Sequence, residues 1–256
     1  VTGYYSKATA RDLAEIARSA EEARKCLITP INRDQISRYL GPSQDTGFPL
    51  EYAFYLLGDI RGKSVLDLGC GSGENLVPLA MRGARVTGID ISPDLIELAK
   101  RRVAAVGLGA SLFARSAYDT GLPDESVDVI FCVALIHHLD IPKVCQEMRR
   151  ILKKGGFVIL SEPIRFSWLY DRVREALPSH QDISEFEHPL TRSELECAKR
   201  DFTPDSLRYF RLPFVPLVRR LLPSRADNAA RVSAQLIKRV PACHRFATSA
   251  VLRLRK

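Results

Sequence analysis

Nine residues constrain this chain more than any others: Val65-Leu66-Asp67-Leu68-Gly69-Cys70-Gly71-Ser72-Gly73. An apolar strand ends in an acid, runs into a tight glycine turn and feeds a helix expected over Glu74–Arg82. Glycine permits such a turn and lets the backbone come close to a ligand. A second acid, Asp90, ends the next apolar strand, RVTGID, roughly 20 residues on, where a carboxylate can accept hydrogen bonds from ribose hydroxyls. Ligands of open α/β sheets bind at the carboxyl ends of the strands, which is where both acids sit.

The glycine spacing bears on which nucleotide is held. A dinucleotide site wants G-x-G-x-x-G around a pyrophosphate. Here the third glycine comes one place early and Glu74 takes the last position. Acids at the strand end and at the helix start suit a cationic ligand better than a diphosphate. S-adenosylmethionine, with an ammonium, a sulfonium and no phosphate, fits that pattern better than NAD.

The surrounding rhythm predicts the fold. From Lys63 onward short apolar runs alternate with helical segments. Strands are expected at SVLDLG, RVTGID, ASLFARS, VDVIFCVA and GGFVILSEP, with helices over Pro93–Val106 and Ile141–Leu152. Ser92 can cap the first of these helices, and Pro93 suits its first turn. Apolar strands alternating with helices indicate an α/β, Rossmann-like, doubly wound and mostly parallel sheet.

Further on, SWLYDRVREAL reads as helical, and Thr191 three residues before Glu194 forms a capping box. SLRYFRL and RFATSAVLRL are candidates for the last two of seven strands, paired antiparallel at the sheet edge. The expected organisation is an N-terminal helical lid over 1–60, made by Arg11 to Cys26, Asn32 to Leu40 and Glu51–Leu57, then a sheet domain over 61–256. Helical cap insertions are expected at about 164–200 and 213–243.

Taken in order, these segments resemble the class I S-adenosylmethionine-dependent methyltransferases of small-molecule type. VLDLGCGSGENLVPLA is similar to their first motif and VTGIDISPDLIELAKRR to the segment after it. RSAYDTGLPDESVDVIFCVALIHHL and RILKKGGFVILSEP are similar to the later ones. The resemblance covers roughly Lys63 to Pro163. It implies that Asp67, Gly69 and Gly71 line the methionine part of the donor. It also implies that Asp90 holds the ribose diol, Ile91 packs on adenine, and Cys132 and Val133 offer backbone to the methionine. Arg115-Ser116-Ala117 stands where the family often has Gly-Asp-Ala, so Ser116 replaces the acid that accepts from the adenine amino group.

Methyl transfer from a sulfonium is an in-line displacement, and a hydroxyl acceptor must also lose a proton, which calls for a general base. His137 and His138 follow the fourth strand, and Glu162 ends the fifth on the same rim. Histidine titrates near neutrality, and a carboxylate can orient its second ring nitrogen. This arrangement resembles that of some natural-product O-methyltransferases. His188 is an outside candidate, and Tyr4, Tyr5, Tyr39 and Tyr52, with Phe48 and Glu51, are either lid or packing residues. No metal site is expected.

Composition narrows the partners. The net charge of +8 permits contact with nucleic acid or an anionic membrane without requiring either. The apolar, cationic stretch from Leu212 onward could meet lipid or a lipid-linked acceptor, wall an apolar pocket, or form a dimer contact. Six cysteines without a C-x-x-C pair read as free thiols of a cytoplasmic protein, and no apolar run reaches the ~18 residues of a membrane span. The expected protein is a cytoplasmic or membrane-peripheral monomer or homodimer, with no signal peptide before Thr2. Other readings are N- or C-methylation, an RNA or protein methyltransferase, a binding protein on the same fold, and an oxidoreductase. No RNA-binding module or N-P-P-Y signature is present, and the glycine spacing disfavours the oxidoreductase.

Overall fold

A computed structural model describes residues 10–25, 33–166 and 188–256. Tyr4, Tyr5, Cys26 and the helix expected over SWLYDRVREAL lie outside the described residues. The apolar runs become strands β1 (Ser64–Leu68), β2 (Arg85–Asp90), β3 (Ser111–Ala114), β4 (Val127–Val133), β5 (Leu152–Pro163), β6 (Thr203–Phe210) and β7 (Ser249–Arg255). They form one sheet in the order β3-β2-β1-β4-β5-β7-β6. The first five are parallel to their neighbours, and β7 runs antiparallel between β5 and β6. SLRYFRL and RFATSAVLRL thus fill the edge places expected of them. β5 begins at Leu152 rather than Gly155, because a register shift opposite Val127–Val129 accommodates the residues before Phe157.

The helices are α1 (Ala10–Lys25), α2 (Arg33–Leu40), α3 (Pro49–Leu56), α4 (Leu76–Met81), α5 (Pro93–Ala105), α6 (Ile141–Ile151), α7 (Arg192–Lys199), α8 (Phe214–Leu221) and α9 (Ala226–Arg239). Ser92 caps α5 by accepting from the Leu95 N–H, and Thr191 and Glu194 form the capping box of α7. The helix expected from Glu74 begins two residues later, at Leu76, because the glycine turn runs on through Asn75.

Alternate residues along each strand face opposite helical layers, as the period of a strand requires. Leu66, Ile130, Cys132, Val158, Leu160 and Leu252 face α6, α7 and α9. Val65, Val129, Phe131, Phe157, Ile159 and Val251 face α3, α4 and α5. This second layer alters the N-terminal division. Residues 49–60 pack under the sheet through Ala53, Phe54, Leu57 and Ile60, so only α1 and α2 remain outside it. Tyr39 stacks on Phe54 at 4.6 Å and Phe54 meets Phe131 at 5.0 Å, while Tyr52 packs on Tyr55 and Phe210. Tyr39 and Tyr52 are therefore packing aromatics. Phe54→Ala is expected to cost about 3–5 kcal/mol, the range for emptying a fully buried aromatic site, read as a lower midpoint in urea.

Among the described residues no helix is long and apolar enough to cross a membrane. The insertion between β6 and β7 is helical, as expected, and Ser233 of α9 anchors it by accepting from the Leu212 N–H at 2.8 Å.

Candidate active site

The carboxyl ends of β1, β2 and β4 open onto a single cavity. Gly69, Gly71, Asp90, Ile91, Ser116, Ala117 and His138 all line it. α1 closes its open side with Ala14, Glu15, Arg18 and Ser19. As closed, the cavity measures about 200 Å³, below the roughly 300–1,000 Å³ typical of ligand pockets. The α1 residues carried no motif, so only the general expectation of a lid could have pointed to them.

The glycine turn shows why these residue types are required. Gly69 has φ +75, and a Cβ there would lie 2.8 Å from the Leu135 side chain. Gly71 has φ +51, and a Cβ there would meet nothing within 4 Å. The first glycine admits the opposite wall; the second leaves its side of the cradle open. Gly69→Ala is expected to cost about 1–2 kcal/mol for the left-handed backbone alone, before any movement of Leu135, read as a lower thermal midpoint.

Two acids serve this turn differently. Asp90 accepts from the Gly71 N–H and the Ser92 N–H, both at 2.9 Å, so it holds the cradle in shape while facing the cavity. Asp67, near the end of β1, is 1% exposed and does not itself line the cavity, and neither of its oxygens has a hydrogen-bond partner among the described residues. Burial, together with the nearby Asp90 charge, pushes its carboxyl up to about 8. A buried polar group without a partner is costly. Asp67 stands immediately before Leu68 and Gly69, which do line the cavity. Glu74 likewise does not line the cavity: it is exposed and pairs with Arg102 at 3.2 Å, contrary to its reading as part of a cation site.

Of the remaining candidates two line the cavity and two do not. Ser116 and Ala117 line the cavity, with the Ser116 Oγ accepting from the Tyr118 N–H at 3.1 Å. Cys132 is fully buried and, with Val133, does not line the cavity. Ala134 and Leu135 stand there instead, because Ala134 adopts φ +52 and turns the chain after β4 ends. Burial also raises the Cys132 thiol well above its usual range.

The three catalytic candidates separate into a wall and its support. His138 reaches the cavity, and its Nδ1 lies 3.9 Å from the Glu15 carboxylate of α1. His137 and Glu162 are buried behind it and do not line the cavity. Glu162 accepts from the Leu135 and Ile136 N–H groups at 3.0 and 3.1 Å, and its other oxygen is 2.8 Å from His137 Nδ1. The His137 ring lies 4.0 Å from that of His138, centroid to centroid. One carboxylate thus fixes the turn over Ile136–His138 and the ring against which His138 rests. His188 is elsewhere, within 3.7 Å of Glu194, and does not line the cavity. Phe48 and Glu51 face a separate groove with Arg231 and Gln235.

Residues 66–160 match the family described as Methyltransferase domain. The ubiquinone biosynthesis O-methyltransferase of Nitrosomonas europaea is 34% identical over 115 residues, covering 44% of this chain and 48% of that protein. The protein of the same name from Paracidovorax citrulli is 29% identical over 175 residues, covering 64% of this chain and 72% of that one. The chain spans about half the length of most of the curated relatives it matches. Among solved structures, geranyl diphosphate C-methyltransferase of Streptomyces coelicolor A3(2) superposes with a TM-score of 0.61 at 18% identity, over 97% of this chain and 98% of that one. The [4+2]-cyclase SpnF superposes at 0.53 with 19% identity, over 77% and 75% of the two chains. Likeness at that identity establishes the fold and leaves the reaction to the site.

Proposed function

We propose that this chain, which belongs to the class I S-adenosylmethionine-dependent methyltransferase superfamily, moves a methyl group from S-adenosylmethionine to a hydroxyl of a small-molecule acceptor. The observation that carries the reading is Asp67, a buried carboxyl beside the glycine turn with no hydrogen-bond partner among the described residues. The donor supplies an electrophilic methyl on a sulfonium and a cationic ammonium. Asp67 and the backbone at Gly69 and Gly71 would hold the amino-acid end, Asp90 the ribose diol, and Ile91, Ser116 and Ala117 the adenine. Ala134 and Leu135 take the backbone role first given to Cys132 and Val133.

Since the donor arrives activated, the chain's own contribution is alignment and proton removal. Positioning of this kind can supply roughly 7–11 kcal/mol in favourable cases. His138 faces the cavity and is the base assigned to the acceptor hydroxyl. His137 and Glu162 act through it, by fixing its turn and its ring plane. The α1 helix, which lines the cavity through Ala14, Glu15, Arg18 and Ser19, acts as the lid that excludes water. The names of the curated relatives support O-directed transfer to a small molecule.

The test is product formation. The purified chain is incubated with S-adenosylmethionine and matched phenol, alcohol, amine and already O-methylated compounds, and S-adenosylhomocysteine is measured. Turnover with free hydroxyls and none with their methyl ethers is the expected result. Equal turnover on the amines, with none on any hydroxyl, would overturn the hydroxyl assignment.

A further inference from the structure

The insertion between β6 and β7 leaves more apolar surface outside than its own packing requires. α9 is held to the body by Ala230, Ser233, Ala234 and Ile237, all buried. Its outer side carries Val232 at 54% exposure, Leu236 at 40% and, at the helix end, Val240 at 45%. These are four residues apart, so successive turns align them in one stripe. At the turn joining α8 to α9, Leu221 and Leu222 are 64% and 51% exposed.

The charge around this stripe is one-sided. Between Phe214 and Arg245 the sequence holds seven Lys or Arg residues and one acid, Asp227. That acid is already paired with Arg38 of α2 at 3.3 Å. Arg225 and Arg239 are each seven residues from Val232, at the two ends of the stripe, and both are exposed. Aliphatic side chains bracketed by arginines are what an interfacial helix presents to a lipid headgroup layer.

Three observations choose among occupants. A second copy would bring two strongly cationic faces together, which like-charge repulsion opposes. Residues 215–243 contain no aromatic side chain, whereas single-stranded nucleic acid is held by aromatic stacking as well as cations. The insertion also leaves from the carboxyl end of β6, and β6 and β5 both run opposite to β7, so they share a direction. The insertion therefore begins on the same edge of the sheet as Glu162 and the cavity.

We propose that the outer face of α8 and α9 is a docking surface for an anionic lipid membrane, which brings the cavity edge to the bilayer and suits an amphiphilic acceptor held there. The docking itself does not depend on the methyl-transfer reading and is measured without donor.

The test is flotation of the full chain with phosphatidylcholine vesicles with and without phosphatidylglycerol. The chain is expected to float with the anionic vesicles and to stay behind with the neutral ones. Arg225→Gln/Arg239→Gln should weaken partition roughly 25-fold, from about fivefold for each cation near an anionic surface. Val232→Ser/Leu236→Ser should weaken it at least roughly tenfold, since each removes apolar area that would enter the interface. The thermal midpoint and donor affinity of both variants should match wild type; if the serine variant fails this check, single Leu236→Ser replaces it. No flotation of wild type with anionic vesicles at low salt would overturn the proposal, as would flotation of both variants at the wild-type level. A fluorescent single-stranded RNA bound through Arg225 and Arg239, with no flotation, would replace the membrane with nucleic acid.

Discussion

Asp67→Asn is expected to do two opposite things: weaken S-adenosylmethionine binding at least roughly a hundredfold and stabilise the unliganded protein. The loss follows from removing one partner of a buried ion pair, which typically costs about 3–5 kcal/mol. The gain follows from the raised carboxyl. In the folded protein Asp67 titrates at about 8, against 3.8 for an ordinary aspartate. Between those values the folded state holds a proton that the unfolded state has released. Its contribution to stability is therefore whole below the unfolded value and is lost as the pH rises toward the folded one, at about 1.4 kcal/mol for each unit crossed. Asparagine has no proton to lose, so the variant's advantage should grow from acid toward pH 8, provided its amide tolerates the same unpartnered site. Urea midpoints across that range, with and without donor, separate the two effects. A merely structural Asp67 would give a destabilised variant, and its donor affinity would then be lost through unfolding.

The second large effect is expected at His138. His138→Ala should lower turnover by about 10²–10⁴, the usual worth of a positioned general base, while leaving donor affinity within a few-fold. The wild-type pH profile of kcat/KM should fall on the acid side, where a general base is protonated and inactive, and the variant should lose that limb. His137→Ala and Glu162→Gln should cost less, on the order of tenfold, since both act by position. In Glu162→Gln the amide can still accept from the Leu135 and Ile136 N–H groups, but its NH₂ would face His137 Nδ1 and oppose the tautomer that donates to the carboxylate. Turnover within a few-fold of wild type in the His137→Ala/His138→Ala double variant would remove histidine-assisted proton transfer.

The sheet and the donor cradle were legible because each rests on local sequence. Short apolar runs bounded by glycine and acids identify β1, β2 and β4, and positive φ at Gly69 and Gly71 is what glycine alone adopts freely. Asp90 follows from its place at a strand end, and Ile91, Ser116 and Ala117 from the resemblance of their segments to the family's motifs. Three things were not legible, for particular reasons. The departure point of the chain after β4 depends on Ala134 adopting φ +52, a conformation its residue type does not announce, so the cavity backbone moved from Cys132 and Val133 to Ala134 and Leu135. Glu74 looked like part of a cation site until its ion pair with Arg102 of α5 turned it outward. The roles of His137 and His138 were separated only by Glu162, some 25 residues away in sequence, which draws His137 behind the wall. At the N-terminus, α1 and α3 look alike as helical segments, yet one covers the cavity and the other lies beneath the sheet.

The central claim is that Asp67 is kept for a cationic adenosyl ligand. Isothermal titration of the purified, ligand-free chain with S-adenosylmethionine, S-adenosylhomocysteine and NAD, in two buffers of different ionisation enthalpy at neutral pH, tests it most directly. The account predicts micromolar binding of both adenosyl ligands and none of NAD. It also predicts release of roughly one proton per site, as the raised Asp67 carboxyl ionises to meet the ammonium, and loss of that release in Asp67→Asn. A folded protein that binds neither adenosyl ligand, or binds them equally well in Asp67→Asn, would contradict it; NAD binding in their place would make the site an oxidoreductase's.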